Sequence, residues 1–147
     1  MAVAVRVAES QDAGKLVQLL EQLGYPTSLH EIRERLENMP RDMRVFVATL
    51  LLDEDADAGI AGFAVITIRR TFVEGTQAIL EGLVVADGLR SKGIGAALLS
   101  TAERWALERG APLIHVKTNV VRERAHAFYR RNGYSLVKTQ HCFEKRL

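Results

Sequence analysis

The hydrophobic period of the chain changes several times along its length. "AVAVRVA" (2–8) alternates as a strand does, and "SQDAGKLVQLLEQLG" then places Leu16, Leu19, Leu20 and Leu23 on one helical face, with Ser10 as the expected cap and Gly24 as the stop. "SLHEIRERLENMP" predicts a second helix: Ser28 and Glu31 stand at capping-box spacing, Leu29, Ile32 and Leu36 at helical spacing, and Pro40 beyond the end. The "GYPTS" between the two helices is a short, semi-rigid loop. Three β-rich runs follow, "RVFVATLL", "GIAGFAVITIRR" and "QAILEGLVV", which predict successive antiparallel strands. The acidic "DEDADAG" between the first two reads as a solvated hairpin tip, because neighbouring like charges avoid burial.

The second half opens on "VVADGLRSKGIGAALLSTAERWALERG", an apolar run that passes through a glycine-rich turn into a long amphipathic helix, with Trp105 expected on its core stripe. "LIHVKT" is a short strand, "RERAHAFYRRNG" a helix closed by Gly133, and "YSLVKTQHCFEKRL" one bent strand or two short ones. The order β-α-α-β-β-β-α-β-α-β-β predicts a single α+β (mixed α/β) domain, 1–147, with about four helices covering a sheet of about six or seven strands.

Composition narrows the function classes. At 48% hydrophobic and 26% charged the chain is an ordinary folded protein, and 20 basic against 18 acidic residues leave a formal charge of only +2. That balance speaks against a dedicated nucleic-acid binder. The single Cys142 cannot form an internal disulfide, and His30, His115, His126 and His141 lack metal-ligand spacing, so no metal and a reducing, cytoplasmic setting are expected. The apolar N-terminal stretch is too short for a signal peptide or a membrane span.

The turn "RSKGIG" asks for a specific explanation. Amides of a first helical turn lack intrahelical partners and carry the positive end of the helix dipole, so they suit phosphate oxygens. Gly93 and Gly95 would let backbone approach a pyrophosphate, and Arg90 and Lys92 would neutralise it. The turn is neither a Walker A loop nor a dinucleotide fingerprint, since position 98 is Leu98 where the latter needs glycine.

This stretch, followed by "NVVRERAHAFYRRNGY", resembles the two central motifs of the GNAT family, the acyl-CoA-dependent N-acetyltransferases. Arg90, Gly93 and Gly95 match the family's [RQ]xxGx[GA] pyrophosphate loop, and the second motif matches its asparagine followed by a helix. The resemblance implies a mixed, splayed sheet that opens between "EGLVV" and "LIHVKT", with acetyl-CoA as co-substrate wedged in the gap. Pantetheine would pair with the backbone of Leu83, Val84 and Val85, and the pyrophosphate would sit on amides of Ser91, Lys92, Gly93, Ile94, Gly95 and Ala96. Asn119 would contact pantetheine or brace its loop; as an isolated residue it is equally a cap or turn former.

Acetyl transfer needs a neutral amine. A lysine-like amine of pKa ~10.4 lies ~3.4 units from that state at pH 7, a cost of about 4.6 kcal/mol. Glu81, a lone carboxylate in an apolar strand, is the candidate base, directly or through water; alternation places it on one face with Leu83 and Val85, and partial burial is expected to raise its pKa. The alternative is a solvent-facing charge or the partner of a nearby arginine. Tyr129 lies on a helical stripe with Ala125, Phe128 and Asn132, which a buried face would also explain. By the resemblance Tyr129 is the acid or hydrogen-bond donor to the leaving thiolate, since a phenol of pKa ~10 stays protonated at pH 7.

The acceptor, a small-molecule or protein amine, is expected to be bounded by Tyr25 in "GYPTS", by Phe72 in "RRTFVEG", by Glu81 and by the terminal "KTQHCF". No nucleic-acid or membrane partner is expected. A homodimer is in keeping with the family, although no apolar seam in the sequence marks its interface. Two other classes stand beside the enzyme: a non-catalytic acyl-CoA sensor of the same fold, and an interaction protein using the cationic "VRERAHAFYRR".

Overall fold

Strand β1 (Ala2–Val7) pairs antiparallel with β2 (Met43–Leu51), β2 with β3 (Ile60–Thr71), and β3 with β4 (Gly75–Val85); β4 then pairs parallel with β5 (Ile114–Val116). The strands lie in sequence order across one mixed sheet. This computed structural model describes residues 2–51, 59–90, 92–118 and 120–147, so most of the acidic run lies outside the described residues. The chain divides into two compact units, Met1–Val116 and Lys117–Leu147.

In the first unit each face of the sheet is covered by helices whose stripes the sequence announces. Helix α1 (Ala13–Leu23) turns Ala13, Leu16 and Leu19 inward, and α2 (Leu29–Glu37) adds Ile32, against Val47, Phe63 and Val84. The opposite face carries α3 (Ile94–Glu108), whose Ile94, Leu98, Leu99 and Ala102 are buried. A fully buried Leu or Ile contributes roughly 1.5–3 kcal/mol, so these positions hold the fold and are poor sites for functional mutants. Gly62 lets β3, β4 and α3 meet closely: a Cβ there would lie 2.5 Å from the Val84 carbonyl oxygen and 3.2 Å from Leu98 Cδ1.

Helix starts and stops follow local chemistry. Gly24 ends α1 in the left-handed region at φ 99°, and Ser28 Oγ accepts from the Glu31 N–H at 3.1 Å to cap α2. Ser10 is not the cap of the first helix. A 3-10 turn over Ser10–Asp12 precedes α1, and Glu9 and Asp12 cap that turn reciprocally, with the Glu9 N–H donating to Asp12 Oδ2 at 2.7 Å. Arg6 grips the same buried carboxylate with both terminal nitrogens, at 2.7 and 2.9 Å, because an ion left unpaired there would cost the full desolvation. Trp105 also departs from expectation: it is half-buried, with the guanidiniums of Arg44 and Arg109 over its ring at 5.6 and 5.1 Å.

The second unit contains α4 (Glu123–Arg131), closed by Gly133 at φ 90° and by the Tyr134 N–H donating to the Tyr129 carbonyl at 2.9 Å. Residues 134–147 form no strand, so among the described residues the sheet has five strands where six or seven are expected. The final run lacks a one-sided apolar pattern: adjacent Leu136 and Val137 are both exposed. The α+β class stands, with four α-helices among the described residues.

Candidate active site

Strand β4 has two unlike halves. Ala78, Ile79 and Leu80 pair with Ile114, His115 and Val116 on one side and with β3 on the other; from Glu81 to Val85 only β3 is paired, among the described residues. The sheet therefore parts beside "EGLVV", as expected. The Ala86 N–H donates to Ala61 at 2.7 Å, so by antiparallel alternation Val84 is bonded toward Phe63 while Leu83 and Val85 direct their N–H and C=O groups to the open edge. Of the three strand residues singled out in the sequence, two face outward and one faces inward.

A bulge separates the halves. Val65 pairs with Gly82 and Ile66 with Leu80, which leaves Glu81 as the extra residue. This overturns the expected alternation. Leu83 and Val85 pair with Ala64 and Gly62 on the face toward α3, whereas Glu81 accepts a hydrogen bond from Thr67 Oγ1 at 2.7 Å. Thr67 shares the α1 face with Phe63. A Cβ on Gly82 would meet the Phe63 ring at 3.8 Å and Leu23 Cδ2 at 3.9 Å, on that same face. The Glu81 side chain is exposed, not partly buried.

Beyond Val85 the described residues 86–90 leave the strand, and α3 starts at Ile94. Gly93 is the cap residue at φ 80°, a conformation that favours glycine, and among the described residues no side chain caps the helix. The Ala97 N–H is bonded to the Gly93 carbonyl at 3.1 Å, so the N–H groups of Ile94, Gly95 and Ala96 stand ahead of the helical ladder. No acidic residue occupies this first turn. Arg90 and Lys92 are exposed beside it, and Arg90 is steadied by Asp87 at 3.3 Å. Ser91 and Asn119 lie outside the described residues.

Tyr129 belongs to the second unit. Its ring meets Phe128 edge-on at 5.2 Å and Tyr134 at 5.6 Å. Burial pushes its hydroxyl up to about 12, against an opposing pull from the Arg122 charge. Of the expected acceptor-side residues, Tyr25 follows the end of α1 and is 66% exposed, and Phe72 stands at the β3–β4 hairpin tip fully in solvent. His115 is half-buried in β5 and Cys142 is exposed.

Sequence reasoning missed Gln22. From the last turn of α1 its Nε2 donates to the Val85 carbonyl at 2.8 Å and its Oε1 accepts from the Asp87 N–H at 3.0 Å. Its partners lie more than sixty residues away in the chain, beyond any local pattern. The bulge did leave a signal, a glycine inside a strand at Gly82.

An open strand edge and a helix start flanked by cations together suit an extended ligand with an anionic end. Comparison with known proteins specifies the class. The model of the acetyltransferase (GNAT) family matches residues 14–134, and the chain belongs to this family of acyl-CoA-dependent N-acetyltransferases. It is similar to the aminoglycoside N(6')-acetyltransferase type 1 of Klebsiella aerogenes, 27% identical over 146 residues, covering 97% of this chain and 96% of the relative. A second enzyme of that name, from Stenotrophomonas maltophilia, is 28% identical over 138 residues, covering 90% and 86%. Among solved structures, AAC(6')-Iy in complex with the bisubstrate analogue CoA-S-monomethyl-acetylneamine shares the fold at TM-score 0.82 and 22% identity over the whole of both chains. Glucosamine-6-phosphate N-acetyltransferase from Arabidopsis thaliana shares it at TM-score 0.80 and 22% identity, covering 98% and 99%.

Proposed function

We propose that the protein transfers the acetyl group of acetyl-CoA to a primary amine of a small aminosugar, by direct attack within a ternary complex. The observation that carries this reading is the succession of the open β4 edge and the α3 start: the outward N–H and C=O of Leu83 and the N–H of Val85, then the first-turn amides of Ile94, Gly95 and Ala96 ahead of the helical ladder. Pantetheine is an amide-bearing chain that pairs with such an edge, and a pyrophosphate is the anion that such a helix start holds. Arg90 and Lys92 add charge neutralisation. The full-length similarity to aminoglycoside acetyltransferases supports an aminosugar in preference to a protein amine.

The chemistry is one bond exchange. The neutral amine attacks the thioester carbonyl carbon, the C–S bond breaks, and the amide C–N bond forms. Glu81 takes the proton lost by the amine, directly or through water, and its exposed carboxylate also attracts an acceptor that arrives as an ammonium ion. Tyr129 serves the leaving group. With its hydroxyl pushed up to about 12, full transfer of its proton to a thiolate of pKa ~8.5 runs uphill, so its role is hydrogen-bond donation to the developing charge.

Release of coenzyme thiol from acetyl-CoA, followed across aminosugars, polyamines and an N-terminal peptide amine, tests the reading. Turnover is expected with an aminosugar, and Tyr129→Phe should lower kcat about a hundredfold while leaving the KM for acetyl-CoA within about twofold. Binding of acetyl-CoA without turnover of any amine would instead establish the non-catalytic sensor.

A further inference from the structure

We infer that Gln22 is a positioning residue for the acyl donor: its side-chain amide closes the far end of the open β4 edge and fixes the turn that aims the α3 amides. The inference rests on the acetyl-CoA reading above and goes beyond it, because Gln22 belongs to no donor-binding motif and touches the donor elements only through their backbone.

Three observations carry it. The first is the geometry of the amide, which uses both ends at once: Nε2 donates to the Val85 carbonyl at 2.8 Å and Oε1 accepts from the Asp87 N–H at 3.0 Å. Val85 is the last residue of the open edge, and its carbonyl points outward; Gln22 occupies that acceptor and leaves the Val85 N–H and the Leu83 groups as the edge's outward face. The second is what Asp87 does next. Its carboxylate meets Arg90 at 3.3 Å, so the chain from Gln22 through Asp87 to Arg90 links the strand end to the cation that precedes α3. The third is the rigidity of the platform. The end of α1 is locked by Gly24 at φ 99° and by the Tyr25 N–H donating to Leu20 at 2.9 Å, while Leu23 packs beside Gly82 at the other end of the open half. The α1 terminus thus touches β4 at both limits of the edge, and Gln22 makes the polar contact.

A glutamine is suited to this task in a way that other side chains are not. Only a primary amide offers a donor and an acceptor side by side on one planar group, and here the two backbone partners straddle Ala86. A carboxylate in the same place retains the acceptor for Asp87 but sets negative charge against the Val85 carbonyl. A thioether of similar length keeps the packing and loses both bonds.

The test uses the full chain with Gln22→Met and Gln22→Glu. Loss of two hydrogen bonds worth ~0.5–1.5 kcal/mol each predicts that Gln22→Met raises the KM for acetyl-CoA about tenfold, with kcat and the amine KM within about twofold. Gln22→Glu should match or exceed that rise. Amide exchange at Asp87, followed by NMR, should quicken in Gln22→Met. A purely structural role would lower the melting temperature and the active fraction together and leave the acetyl-CoA KM alone; that result overturns the inference, as does an unchanged KM in either folded variant. Calorimetric titration of the wild type with coenzyme A separates the two levels. No binding by the wild type removes the donor reading itself, whereas wild-type binding matched by the variants removes only Gln22.

Discussion

Helices α2 and α3 begin in opposite ways. Ser28 caps α2 through its hydroxyl, and Glu31 in the first turn is held as a carboxylate below its usual range by the Thr27 hydroxyl and the Ser28 backbone. Among the described residues α3 begins at Gly93 with no side-chain cap, no acid in its first turn, and Arg90 and Lys92 just before it. Helix α4 also lacks a side-chain cap, yet it has Glu123 in its first turn. Basic residues flank both uncapped starts, Arg122 at α4 and Arg90 and Lys92 at α3, but α3 carries no acid in its first turn to offset them. One helix start satisfies its own orphan donors, and the other is the one proposed to receive an anion.

The largest effect should come from making α3 begin as α2 does. Gly93→Asp places a capping carboxylate where the pyrophosphate is proposed to sit, at a φ that aspartate tolerates better than most residues, and should weaken coenzyme A binding roughly a hundredfold by calorimetry. Unchanged affinity would end the comparison. Gly93→Asn supplies the cap without the charge, so a loss of about tenfold separates occupancy from repulsion. Smaller again is Ser28→Ala, which should cost about 1 kcal/mol of stability and lower the melting temperature by about 2–4 °C, with coenzyme affinity unmoved.

The first helical segment sharpens the contrast by pH. The Arg6 hydrogen bond holds the Asp12 carboxyl below the usual carboxylate range, against the opposing effect of burial. A depressed folded-state pKa contributes stability above the unfolded value of ~3.9, and that contribution is lost as pH falls through the folded value. The stability difference between wild type and Arg6→Met, read from denaturant midpoints, should therefore be full at neutral pH and shrink below about pH 4. A constant difference across that range would assign Arg6 a packing role alone.

What could be read from the sequence was local. Gly24, Ser28 and Gly133 act where their chemistry placed them, because a cap involves neighbours within a turn. The "RSKGIG" turn was legible for the same reason: cations, glycines and helix start lie within a few residues of one another. The parting of the sheet followed from the family resemblance, not from periodicity. Glu81 was misplaced because period 2 assumes an unbroken ladder, and one extra residue exchanges the faces. Ser10 lost the cap to Glu9 and Asp12, since a carboxylate paired to Arg6 competes better than a hydroxyl. Gln22 had no local signature, and Trp105 needed its two arginines to be seen in place.

The bulge at Glu81 has a consequence for solubility. An unpaired strand edge is a template on which a second chain can add, and strand addition is the route by which exposed edges aggregate. Here the edge is only as long as Glu81–Val85 and opens on a displaced, charged residue followed by glycine, two devices that spoil its fit to another strand. The kink that removes Glu81 from the ladder thus guards the unpaired edge, and straightening it by deleting that residue would exchange a guarded edge for a sticky one.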